Sequence, residues 1–402
     1  MTLTALFPSP GDTTADETLA ALTDTTLSFG DERVRAYLAD VATALLRPTV
    51  ARRHPELAAL GFFLRRGEIE ALLRRTTTPP GTTRLPRGLV FHIPPANVDT
   101  LFVYSWALSA LAGNSNVVRV SPRADAAATT LLRILTDSLA NADPVIAATQ
   151  RMVGYDRDAT ATAAFSAACA LRVIWGGDRA IAAIREAPLP PRSRDVTFAD
   201  RSSYAAFSVD GWHAADGPTR DATALGLRND AYWFDQAACA SPRAIAWIGG
   251  VADDADACHR DLMARVAAQA PTPRPELAVR LRAETYRLAA DGDADALRYA
   301  DGDRLASARL TSTAPPPRRW LGPGVFPYAH LASGAALASL LTRHDQTVTH
   351  FGFGDEFPAF AEALAIAGVD RIVPVGTALD FGAIWDGYDL ITEFSRLSVI
   401  TP

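Results

Sequence analysis

Apolar positions recur every three to four residues through the early chain, at Asp16–Leu22, Asp31–Leu46 and Pro55–Arg75, and predict that residues 1–80 are helical. Thr76–Arg87 (TTTPPGTTRLPR) breaks the pattern and reads as a linker. The period then changes. Gly88–Ile93 (GLVFHI), Asn116–Val120 (NVVRV), Gln150–Gly154 and Leu171–Trp175 (LRVIW) are short apolar runs, predicted as buried strands. Between and after them, Asp99–Ala112, Ala124–Ala140, Ala159–Ala168 and Asp178–Glu186 keep helical spacing. Strands alternating with helices of this length predict an α/β fold with a parallel sheet covered on both faces. A Pro-rich break at Pro188–Arg194 separates this region from a second one. There Tyr204–Val209 and Ala244–Ile248 read as strands and Pro218–Leu227 and Asp253–Ala268 as helices, so a second α/β lobe is expected.

Composition removes several function classes. The net charge of −6 across 402 residues argues against a nucleic-acid binder. No apolar run reaches the roughly 20 residues needed to span a bilayer, and Met1–Thr14 lacks the basic start and apolar core of a signal peptide. All 39 basic residues are arginine, which excludes a lysine Schiff base, a pyridoxal-phosphate anchor and a P-loop lysine. Three cysteines without a CxxC, and seven scattered histidines without HExxH, predict a reduced cytoplasmic setting and no metal.

Four features could carry chemistry. Cys239 lies among Ala237, Ala238, Ala240 and Ser241, small neighbours that let an electrophilic carbon approach; on composition alone a lone cysteine is more often a small buried hydrophobe. Asn97, in the turn Pro94–Asn97 between strand and helix, can donate an amide N–H to an oxyanion or cap the helix. Gly176 and Gly177 follow a strand and open a helix, permitting close approach of a cofactor phosphate or making a plain turn. Arg119, Ser121 and Arg123 end the second predicted strand, where arginine can hold a 2′-phosphate, or simply be solvated. His92 reads as a satisfied core histidine and Asp235 as structural.

The segments GLVFHIPPANVDTLFVYSWALSALAGNSNVVRVSP, VIWGGDRAIAAIR, DVTFADRSSYAAFSVDG, FDQAACASPRAIAWIG and RIVPVGTALDFGAIWDGYDLITEFSRL resemble, in order, the LuxC-type acyl-CoA reductase family of the aldehyde dehydrogenase superfamily. The resemblance implies an aldehyde dehydrogenase-like fold: a helical segment over 1–80, an NADP-binding Rossmann-like domain over 81–210, a catalytic domain over 211–375 and a return segment over 376–402. It implies Cys239 as nucleophile and Asn97 as oxyanion donor. Pro95, Arg119, Ser121, Arg123, Gly176 and Gly177 would line the NADPH site, with Arg119 where many superfamily members carry a lysine. The implied reaction is NADPH-dependent reduction of an acyl-CoA or acyl-carrier-protein thioester to an aldehyde, in a homo-oligomer, with an acyltransferase or ligase as a further partner. Hydrolytic members place a glutamate base before the cysteine, whereas Val196–Ser208 (VTFADRSSYAAFS) holds only Asp200. Two alternatives stay open: an NAD(P)-dependent aldehyde dehydrogenase, and a non-catalytic subunit of an acyl-processing complex.

Overall fold

The computed structural model describes residues 2–23, 27–95, 98, 100–122, 126–156, 158–300, 304–311 and 317–401. The chain forms two compact units, one from residues 1–199 with 381–402, the other from 200–380.

The first unit is built on a seven-stranded sheet. Its strands in chain order are β1 (Leu3–Phe7), β2 (Gly11–Thr13), β4 (Leu89–Ile93), β5 (Ser115–Val120), β6 (Gln150–Gly154), β7 (Leu171–Trp175) and β8 (Arg194–Phe198); β3 (Thr82–Pro86) stands apart from it. The spatial order is β2-β1-β6-β5-β4-β7-β8. The five strands from β4 to β8 are parallel, and their order reverses between β4 and β7. At such a reversal the crevice beyond the carboxyl ends of the strands takes ligands. The apolar runs that mark these strands are apolar because both faces are covered. Phe91, Ile93, Val117, Val153 and Ile174 pack on one side against Phe165 and Ile181. The helix Leu101–Leu111 is buried along all eleven residues.

Two expectations fail here. Residues 3–13 are a β-hairpin, not helix, with β1 antiparallel to both β2 and β6. The Thr76–Arg87 linker contains β3, whose Thr82 to Pro86 are all only partly buried. Neither segment carries a continuous apolar run, and both are held by partners far along the chain.

The second unit carries β9 (Ser202–Ser208), β10 (Pro242–Ile248), β11 (Ala294–Ala300), β12 (Leu305–Leu310), β13 (Val325–Leu331), β14 (Asp345–Phe351) and β15 (Arg371–Pro374), in the order β11-β12-β13-β10-β9-β14-β15. Only β11 runs antiparallel to its neighbour. Strand alternation sends Phe207 and Trp247 into a core with Trp212, Leu262 and Phe326, and Tyr204, Ala246 and Val348 into a core with Phe353, Phe360 and Leu364. Residues 381–402 return to the first unit as the hairpin β16 (Ile384–Trp385) and β17 (Tyr388–Asp389), followed by β18 (Ser395–Val399), which pairs antiparallel with β3.

Candidate active site

In the second unit, the chemistry gathers at the amino ends of three adjacent strands, β10, β9 and β14. The helix Gly217–Tyr232 ends in a tight turn that leads through Cys239 into β10. Asp235 and Gln236 take successive left-handed conformations, φ +50° and +54°, each costing about 1–2 kcal/mol in a residue with a Cβ. Surrounding bonds hold them there. Gln236 is 2% exposed; its Nε2 donates to the carbonyls of Pro242 (3.0 Å) and Val325 (3.3 Å), and its Oε1 accepts from Gly324 N–H (2.7 Å). Trp320 Nε1 donates to Asp235 O at 2.8 Å. Asp235 therefore acts structurally, with burial raising its carboxyl pKa and Arg274 opposing that rise.

The turn delivers Cys239 half-buried, flanked by the buried Ala238 and Ala240. Contacts from β9 and β14 hold it. The Ser203 hydroxyl donates to the Cys239 carbonyl at 2.6 Å and accepts from Thr347 N–H at 3.2 Å. The Gln346 side-chain amide reaches the Cys239 sulfur, Nε2 to Sγ 3.4 Å. Nothing in the sequence singled out Ser203, Gln236 or Gln346. Gln236 belongs to the DQ-x-A-C-x-SP segment and Ser203 to DVTFADRSSYAAFSVDG, but neither segment gives its residue a role.

The first turn of β14 is anchored by a buried acid. Asp345, fully buried, accepts from Arg318 Nε (3.1 Å) and Nη2 (2.8 Å), from Tyr204 OH (3.1 Å) and from Thr342 N–H (2.8 Å). Arg243, near the start of β10, donates to Ser202 Oγ at 3.2 Å and lies 3.9 Å from Asp200. Asp200, the only acid in Val196–Ser208, has a side chain 68% exposed.

In the first unit, Pro95, Arg119, Ser121, Gly176 and Gly177 fall at or just beyond the carboxyl ends of β4, β5 and β7, three adjacent parallel strands flanking the order reversal. Asn97 and Arg123 lie outside the described residues. Arg119 Nε donates to Tyr155 O at 3.3 Å, and its guanidinium lies 5.2 Å from the Tyr155 ring centre. Gly176 N–H bonds Phe198 O at 3.0 Å, and Gly177 caps the helix Asp178–Arg185. Neither glycine has a positive φ. Among the described residues, a Cβ on Gly177 would meet nothing within 4 Å, and one on Gly176 only Ala180 at 3.6 Å. Packing among the described residues thus gives no reason for glycine here, whereas close approach of a ligand would.

His92, His259 and the other two cysteines lie in the interior of the fold. His92 is fully buried; Nε2 donates to Asn116 Oδ1 (2.9 Å), Nδ1 accepts from Ser105 (2.8 Å), and burial lowers its pKa to about 4. His259 accepts from Trp247 Nε1 (3.2 Å), donates to Ser307 (2.9 Å) and stacks on Tyr328, with burial lowering its pKa to about 3. Cys169 and Cys258 are buried thiols whose pKa burial pushes up to about 12 and about 11. Among the described residues no cluster of three or more His, Cys, Asp or Glu could hold a metal ion, and no helix is long and apolar enough to cross a membrane.

Comparison with known proteins gives one family match. The profile of the acyl-CoA reductase (LuxC) family matches residues 65–286. No curated protein sequence matches the chain. Among solved structures, the chain is similar to aldehyde dehydrogenase 21 from Physcomitrella patens in complex with succinate, at TM-score 0.70 and 13% identity over 95% of this chain and 89% of that one. It is similar to an NAD-dependent benzaldehyde dehydrogenase from Corynebacterium glutamicum at TM-score 0.67 and 15% identity, covering 99% and 94%. A third, glyceraldehyde-3-phosphate dehydrogenase from Methanocaldococcus jannaschii complexed with NADP, aligns at TM-score 0.67 and 13% identity over 91% and 88%. At these identities the likeness establishes an aldehyde dehydrogenase fold.

Proposed function

The chain belongs to the acyl-CoA reductase (LuxC) family, and from that premise we propose that it reduces an acyl thioester to an aldehyde with NADPH, through an acyl-enzyme on Cys239. At the coarser level, family and fold support an oxidoreductase of aldehyde chemistry that uses a nicotinamide cofactor. The observation that carries the finer reading is the Cys239 turn. A cysteine with small neighbours is held from two sides, by Ser203 on its carbonyl and Gln346 at its sulfur, on a backbone whose strained conformation Gln236 enforces.

In this mechanism the Cys239 thiolate attacks the thioester carbonyl. The Cys239 backbone N–H and, by the family resemblance, the Asn97 amide stabilise the oxyanion; losing one such donor typically costs about 10²–10³ in rate. As the tetrahedral species collapses, the bond to the carrier sulfur breaks, the carrier leaves as a thiolate that picks up a proton, and the acyl group remains on Sγ. A bound reduced nicotinamide supplies the hydride that takes the acyl carbon to the aldehyde level. Pro95, Arg119, Ser121, Gly176 and Gly177 fit such a cofactor, with the glycines leaving room beside a helix N-terminus and Arg119 offering charge to a 2′-phosphate. Arg123 belongs to the same set by the resemblance. Breaking the C–Sγ bond then releases aldehyde and restores the Cys239 thiolate. Val196–Ser208 offers no glutamate to activate water, and its Asp200 is turned toward Arg243 and solvent. That favours reduction of the acyl-enzyme over hydrolysis.

Intact-mass measurement without NADPH tests the proposal. Acyl-CoAs and acylated carrier proteins should add one acyl mass to the wild type and none to Cys239→Ala, and NADPH should then discharge the adduct as aldehyde. Discharge by water alone to free acid would support a hydrolytic dehydrogenase instead. No adduct with any thioester, and no NADPH consumption, would sink the reading.

A further inference from the structure

We infer that Gln346 is a further catalytic residue, whose side-chain amide donates to the Cys239 sulfur and stabilises it as the thiolate. The inference deepens the reading of Cys239 as nucleophile and rests on it. Three observations converge.

The first is the contact, Nε2 to Sγ 3.4 Å, made by a side chain only 2% exposed. A buried amide aimed at a sulfur is not a surface residue that happens to lie near.

The second is the backbone that aims it. Ser202 and Ser203 are consecutive on β9, but their partners on β14 are Asp345 and Thr347, so Gln346 is the extra residue of a β-bulge. Bulges re-aim a side chain at the cost of local ladder bonds. The Gln346 carbonyl accepts from Asp370 N–H at 3.1 Å, and Thr347 N–H turns to Ser203 Oγ at 3.2 Å.

The third is that the same serine holds the other partner. Ser203 Oγ donates to the Cys239 carbonyl at 2.6 Å, so one buried hydroxyl sets both the cysteine and the bulged strand. On its other side, β9 meets a second register shift, between Pro242 and Ile245 of β10. Two irregularities flanking one serine bring the amide and the sulfur together.

An amide N–H donates to a thiolate more strongly than to a thiol, which accepts weakly, so the contact favours the charged form. Gln346 takes no proton; the thiol proton goes to solvent. The same bond assists when the C–Sγ bond breaks and the thiolate is the leaving group.

The test follows the pH dependence of Cys239 alkylation by iodoacetamide, read by peptide mass in the full-length protein, with wild type, Gln346→Met and Gln346→Glu. Met keeps the length and volume without a donor; Glu adds a negative charge. We expect the alkylation midpoint to rise by about one pH unit in Gln346→Met, a tenfold fall in thiolate fraction below the midpoint, and further in Gln346→Glu. A merely structural role would not order the variants by charge. Midpoints equal to wild type in both variants, each shown folded by its near-ultraviolet dichroism, would overturn the inference, as would a Glu midpoint below that of Met. Because alkylation needs no acyl substrate, it is separable from the acylation assay: an adduct with unshifted midpoints removes Gln346 alone, and shifted midpoints without any adduct remove the reductase reading alone.

Discussion

Replacing Gln236 by alanine should unfasten the cysteine turn. Its side chain makes three bonds to backbone groups, to Pro242 O, Val325 O and Gly324 N–H, with 2% of the residue exposed. Truncation strands the Gly324 N–H in the interior, which costs about 1–3 kcal/mol, and removes two further bonds worth about 0.5–1.5 kcal/mol each. The backbone conformation at φ +54° stays as costly for alanine as for glutamine. The expected loss is therefore about 3 kcal/mol or more, by urea unfolding. Hydrogen exchange should localise it, with protection falling in peptides covering residues 233–243 and 320–326. Asp235→Gly is the control. It removes the Cβ from the neighbouring left-handed residue but leaves the Trp320 bond to the carbonyl, so stability should change by less than about 1 kcal/mol. If Gln236→Ala costs under about 1 kcal/mol, or if Asp235→Gly matters more, then the side-chain bonds are not what hold the turn.

Other outcomes follow from the same geometry. Gly177→Ala should leave the melting temperature nearly unchanged, since its Cβ has open space and φ is −66°, yet weaken NADPH binding measured by fluorescence titration; unchanged affinity would move the cofactor elsewhere. Arg119→Ala should weaken NADPH more than NADH, lowering the ratio of kcat/KM values by about tenfold as one charged contact to the 2′-phosphate is lost; an unchanged ratio would remove Arg119 from that role. His92 is neutral in the folded state down to about pH 4, while the unfolded chain protonates it below about 6.5. Its stabilising effect is thus complete above pH 6.5 and is lost as pH falls toward 4. Between pH 7.5 and 5.0, wild type should lose about 2 kcal/mol more than His92→Asn in urea unfolding, and parallel losses would refute the assignment.

The sequence pattern foretold the parallel sheet of the first unit because β4, β5 and β7 are covered on both faces and so appear as unbroken apolar runs. It hid the β1–β2 hairpin and β3, which carry no continuous buried apolar run and are tied to the fold by β6 and β18, far along the chain. The start of β8 was masked by the Pro-rich break that runs into Arg194. Cys239 could be picked out by chemistry and family resemblance. Gln346 could not, because in DQTVTHF it looks like any polar position of a half-exposed strand. Its orientation comes from a bulge, which depends on the pairing with β9. Gln236 was invisible for a related reason: its role depends on a left-handed conformation that no periodicity encodes.

The return segment has a consequence for how the protein is made. Residues 200–380 form a contiguous unit, whereas the first unit is closed by residues 381–402, synthesised after the whole of its neighbour. The closing contacts are specific. β18 pairs with β3, Arg87 Nε donates to Glu393 O, and Asn114 Nδ2 donates to Phe394 O at 2.8 Å. During synthesis, the unit begun first is therefore finished second. It must wait with β3 unpaired and the Asn114 bond to Phe394 unmade while some 180 residues emerge, about 10–35 s at ordinary elongation rates. A chain truncated after residue 380 should carry a folded second unit and a protease-sensitive first one.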